Sequence, residues 1–152
     1  FVIKKIKIIT LLVCAVIFVF GININCDSII ENSSTYAKLQ IKKTTGVKMP
    51  KEANMLYQYN VEYFQDGTIR YYVFEFSSEP TEWLRNYEFS NIKDKNFESS
   101  FFDYNNWKNF KIPEEYLPCE GEQYSWLRLS SYFFYYTPDN LRVIVYLSSY
   151  RY

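Results

Sequence analysis

The clearest periodic pattern in the chain lies just after its first third. Met55, Tyr57, Tyr59, Val61 and Tyr63 alternate with Asn54, Gln58, Asn60 and Glu62, the period of two expected of a half-buried strand. Asp66-Gly67 follows, a favoured pair for a tight hairpin because both central positions take positive φ. The return segment, Thr68 to Ser77, is apolar on both parities, with Tyr71 and Val73 on one and Tyr72, Phe74 and Phe76 on the other. That pattern predicts a central strand covered on both faces. Near the C-terminus, Gln123–Thr137 and Asn140–Tyr150 flank Thr137-Pro138-Asp139-Asn140, a type I turn signature with Pro second and Asp third. Leu141, Val143, Val145 and Leu147 line one face of the last strand.

Between the hairpins the period lengthens. In the segment Ser77–Phe89, Ser78 or Glu79 is placed to cap a helix, Pro80 suits its first turn, and Glu79 and Glu82 suit the positive end of its dipole. Trp83, Leu84 and Tyr87 share one face. Phe97, Phe101 and Tyr104 follow i, i+4, i+7 spacing and predict a second helix. Pro113 and Pro118 bracket a loop. The expected fold class is α+β: an N-terminal hydrophobic signal or anchor helix, then a small domain with a four-stranded antiparallel sheet of two hairpins and two helices on one face.

The leader sets the location. Lys4, Lys5 and Lys7 precede Ile8–Ile22, 15 residues that are apolar except for Thr10 and Gly21. That length matches a signal-peptide core of roughly 7–15 residues and is short of the roughly 20 that span a bilayer as a helix. Flanking Ile6, Ile24 and a snorkelling Lys7 lengthen it enough to stay in the membrane. The lysines place the N-terminus in the cytoplasm and export the rest. Three fates stay open: cleavage after Gly21, lipidation at Cys26, or retention as an anchor. Asn23-Ile24-Asn25 is a poor lipidation box, and Cys14 lies within the apolar run. The expected organisation is residues 1–25 as signal peptide or membrane anchor, 26–44 as a linker containing a short helix, and 45–152 as an extracytoplasmic domain.

Charge and composition remove several function classes. Without the three leader lysines the chain carries 14 basic and 17 acidic residues, a net of −3. Nucleic acid, which demands a basic face, is not an expected partner. Lys38, Lys42, Lys43, Lys48 and Lys51 form one local basic stretch, read as a solvated linker near a membrane. The chain has no histidine, which excludes Ser-His-Asp and Cys-His catalysis and histidine-bound zinc. Aromatic residues make up 21%, and Tyr and Phe favour pleated surfaces. No phosphate-binding glycine loop and no nucleophile elbow is present, and no cofactor is expected.

The remaining candidates are few. Cys26 and Cys119 are the candidates for a disulfide in an exported chain. Glu114, Glu115, Glu120 and Glu122 cluster around Cys119; suitably separated carboxylates hydrolyse glycosides. Asp103, Asn105 and Asn106 are spaced loosely like oxygen ligands but lack a calcium-loop motif. Trp107, among Asn105, Asn106, Lys108 and Asn109, is the candidate for a sugar or peptide contact. Tyr132, Tyr136, Tyr146 and Tyr150 form an expected outer sheet face for a protein partner. No catalytic or metal site is assigned.

Gly46, Pro50, Asp66, Gly67, Val73 and Phe74 carry a resemblance to small uncharacterised exported proteins and lipoproteins of low-GC Gram-positive bacteria, over about a quarter of the chain. The resemblance implies location and fold, and nothing catalytic. The expected function is non-enzymatic binding at the membrane, with an envelope or secreted protein as partner. The competing expectations are a carboxylate enzyme acting on envelope sugars and an immunity or inhibitor protein.

Overall fold

A computed structural model describes residues 33–63, 67–93, 98, 110–119 and 121–149 of the 152-residue chain. The chain divides into two compact units, 1–37 and 38–152. Helix α1 runs Ser34–Thr45. Ser33 caps it: its hydroxyl accepts the Tyr36 N–H at 3.1 Å and its carbonyl the Ala37 N–H at 3.0 Å. Gly46, at φ 79, ends it in the left-handed conformation, and its N–H donates to the Lys42 carbonyl at 2.9 Å. Lys42 and Lys43 in the last turn face the negative end of the dipole. This helix occupies much of the expected linker and reaches one residue past its boundary.

Among the described residues the sheet has five antiparallel strands: β1 (Asn54–Tyr63), β2 (Gly67–Glu75), β3 (Ser125–Leu129), β4 (Tyr132–Thr137) and β5 (Arg142–Ser148), in the order β1-β2-β5-β4-β3. The four strands expected from sequence are corrected by one. Gln123–Thr137 is not a single strand but two, folded back at Ser130-Ser131, with Leu129 opposite Tyr132. Ser130 takes φ 58, the positive φ that a two-residue hairpin needs at its first central position. A serine pair between aromatic runs carries little turn signal, so the reversal is invisible to hydrophobic periodicity. The expected N-terminal helix is not supported either. Among the described residues no helix is long and apolar enough to cross a membrane, and the leader itself lies outside them.

Each predicted turn shifts. Gly67 pairs with Tyr63 as the first residue of β2, so the predicted turn residue belongs to the strand. Gly67 sits at φ 110, and a Cβ there would lie 2.8 Å from the Ser149 carbonyl oxygen. Its glycine is needed for strand approach as well as for turning. Between β4 and β5 the Leu141 N–H donates to the Pro138 carbonyl at 3.4 Å, one residue later than the sequence signature. Thr137 donates from its hydroxyl to the Asn140 side-chain carbonyl within the same turn.

Helix α2, Thr81–Asn86, follows the expected start, but Pro80 is its N-cap and no side chain caps it. It ends on Glu88 at φ 55, with the Phe89 N–H reaching back to the Leu84 carbonyl at 3.0 Å, a Schellman closure made without glycine. The second expected helix falls almost wholly outside the described residues. A short 3-10 turn, Glu114–Tyr116, interrupts the following loop.

The sheet is buried on both faces, not covered on one alone. On one face Tyr71, Val73, Tyr135 and Ile144 pack with Phe110 and Ile112. On the other, Trp83 of α2 meets Phe76, Phe89 and Phe134 at ring distances of 5.8, 4.9 and 6.5 Å. The apolar residues on both parities of β2 follow from this double cover.

Candidate functional site

The sequence candidates do not converge. Tyr132 pairs with Leu147, whereas Tyr146 pairs with Phe133. Opposed residues point to the same side of a sheet and neighbours along a strand to opposite sides. Tyr132 and Tyr146 therefore face opposite sides and cannot form one tyrosine surface. Tyr136 is buried, with 1% exposure, and its hydroxyl has no hydrogen-bond partner. Burial, then the nearby Glu79 charge, pushes its pKa up to about 12. Tyr150, Trp107, Cys26, Glu120, Asp103, Asn105 and Asn106 lie outside the described residues.

Cys119 is free and exposed. Its thiol pKa is raised by partial burial, then by the charge of and a hydrogen bond with Glu122, which favours an unreactive thiol. Glu114 and Glu115 are exposed in the 3-10 turn. Arg142 holds that turn through the Glu115 backbone carbonyl, 3.2 Å from Nη1, and stands 3.6 Å from the Glu75 carboxylate. Among the described residues no three acidic, cysteine or histidine side chains are grouped to hold a metal ion.

A groove of about 580 Å³ runs between residues 48–52 and the start of α2, with Lys51, Glu52, Glu79 and Glu82 in its walls. Its construction is structural. Trp83 donates from Nε1 to the Lys48 carbonyl at 3.0 Å, and Tyr87 accepts the Lys48 N–H at 2.8 Å. Flanking Val47 and Met49 are 2% and 3% exposed. Two aromatic side chains thus clamp the Gly46–Pro50 segment onto the domain.

The two sheet edges differ. At the β3 edge Ser90 bridges one residue: its N–H donates to the Trp126 carbonyl at 2.8 Å and its carbonyl accepts the Trp126 N–H at 2.9 Å. Trp126 adds a bond from Nε1 to the Ile92 carbonyl at 2.9 Å. At the other end of the sheet no described strand pairs with the outer edge of β1. β1 is the longest strand, ten residues with Glu62 as its one charge and no lysine or proline. Natural edges are usually blunted by charge, proline or shortness. β1 has one such device, a bulge between Met55 and Tyr57. Beyond it the register with β2 is regular from Tyr57 to Tyr63. The bulge also moves Met55 off the face shared by Tyr57, Tyr59 and Val61, as its pairing with Phe74 rather than Glu75 requires. Sequence reasoning finds this strand but misses its edge position, because that depends on β2 pairing with β5, which lies far along the chain.

The chain matches no family model, no curated protein and no solved structure.

Proposed function

We propose that this protein is a non-enzymatic interaction domain working outside the cytoplasm, delivered by its lysine-led apolar leader, and that it takes an extended segment of an envelope or secreted protein onto the outer edge of β1. The observation that carries this reading is the contrast between edges: β3 is bridged at Trp126 by Ser90, while the ten residues of β1, with Glu62 as their one charge and no proline, have no described strand on their outer side. Added strands bind through main-chain hydrogen bonds, with alternate side chains giving selectivity. Tyr57, Tyr59 and Val61 supply the apolar alternation, and Gln58, Asn60 and Glu62 the polar one.

A photo-crosslinking side chain at position 60, in cells that make the protein natively, tests the reading. Protein adducts from position 60, and none from position 125, beside the Ser90–Trp126 bridge, are expected. Silence at 60, or equal capture from both positions, contradicts it. A reporter fused after Tyr152 tests the location: activity only outside the cytoplasm is expected.

A further inference from the structure

We propose that the outward stripe of α1 is a docking surface for a bilayer of anionic lipid, on which Lys42 and Lys43 meet headgroup phosphates and Leu39 enters the interface. The proposal rests on the membrane location read from the leader and is independent of the β1 edge. Residues 33–51 carry five lysines and no acidic residue, whereas residues 52–152 carry 9 basic and 15 acidic residues. A chain so divided in charge turns its lysine segment to an anionic surface and the remainder away from it. Within α1, Leu39, Lys42 and Lys43 stand at i, i+3 and i+4, neighbours on one side of the helix. All three are exposed, while Ile41 on the other side is fully buried. Leu39, at 59% exposure, is one of two large apolar side chains left so open among the described residues. No carboxylate among those residues pairs with Lys42 or Lys43, whereas the Lys38 ammonium donates to the Lys51 carbonyl at 2.9 Å. Lysines in a last turn complement the helix dipole, but that role calls for no exposed leucine beside them and no exclusion of acid from residues 33–51. A soluble polyanion would use the lysines and leave Leu39 in water. A bilayer uses both, with the lysine stems lying along its interface. Only residues 23–33 separate α1 from the apolar run that ends at Ile22, so a leader lodged in a bilayer tethers the stripe beside it.

A photo-reactive side chain at position 39 of the full chain tests the contact, with vesicles of phosphatidylcholine alone or with phosphatidylglycerol added. Lipid adducts at position 39, identified by peptide mass, are expected with phosphatidylglycerol present and lost without it, and they should fade as salt is added. The same side chain at position 139, exposed in the β4–β5 turn, should give none. Lys42→Glu with Lys43→Glu should remove the adducts at 39, and Lys42→Arg with Lys43→Arg should keep them, each with the circular dichroism of the unmodified chain. The dependence on lipid charge and salt needs no lysine variant, so it decides the matter even where the glutamate pair disturbs α1. No adducts at 39, an equal yield from neutral vesicles, or an equal yield from 39 and 139 overturns the proposal. Capture of a protein in place of lipid at position 39 in native membranes overturns it too. None of these outcomes bears on capture at position 60, and a reporter after Tyr152 active inside the cytoplasm overturns instead the location on which the proposal rests.

Discussion

Glu88, Lys111, Ser130 and Leu141 all hold positive φ, between 51° and 58°, where L-residues clash with their own carbonyls. With only four glycines in the chain, these reversals fall on side-chain-bearing residues. Ser130→Gly and Glu88→Gly should each raise stability by about 1 kcal/mol, read as a higher urea midpoint at unchanged slope. Gly67→Ala should do the reverse, by about 2 kcal/mol, because φ 110 and the Ser149 carbonyl leave no room for a Cβ. Tyr136→Phe removes a buried hydroxyl that has no partner, so it should be neutral or stabilising by about 1 kcal/mol. Loss of more than that would mean that the hydroxyl is bonded. These positions mark where the sequence was hardest to read. Positive φ on Ser, Glu, Lys or Leu leaves no compositional trace, and the Ser130 turn alone changes a four-stranded expectation to five.

At the scale of elements, α2 is too short to stand alone, since isolated helices need about 12–15 residues. It is held by Trp83, which joins Phe76, Phe89 and Phe134 and bonds the Lys48 carbonyl. Trp83→Ala should cost about 3–5 kcal/mol. Trp83→Phe keeps a ring but strands the Lys48 carbonyl, and should cost about 1–3 kcal/mol. Chemical denaturation followed by far-UV circular dichroism distinguishes the two. The first hairpin, the double cover of β2 and the helix after Pro80 were legible because each rests on local periodicity. The faces of Tyr132 and Tyr146 were not. Both are even-numbered, but the β4–β5 register puts even residues of β4 opposite odd residues of β5, and no local pattern fixes register between strands. The edge position of β1 was hidden for the same reason.

For the whole molecule, the absence of histidine removes the usual titration near neutrality, and buried tyrosines dominate the alkaline side. Burial raises Tyr71, Tyr135 and Tyr136, the last to about 12. Above the ordinary tyrosine value near 10 the unfolded chain loses protons that the folded chain keeps. The unfolded state then binds fewer protons, so stability falls with rising pH. It should be unaffected by these groups below about pH 10 and decline through about pH 12. Tyr136→Phe should shallow that decline in an alkaline denaturation series.

The central claim is that the outer edge of β1 is built to be paired, and amide hydrogen exchange on the full chain reads that edge directly. The outward amides between Tyr57 and Tyr63 should exchange fast in the isolated protein and slow markedly when the native envelope fraction is added, while those bonded to β2 stay slow throughout. Exchange along β1 that is unchanged when the native envelope fraction is added would contradict the account.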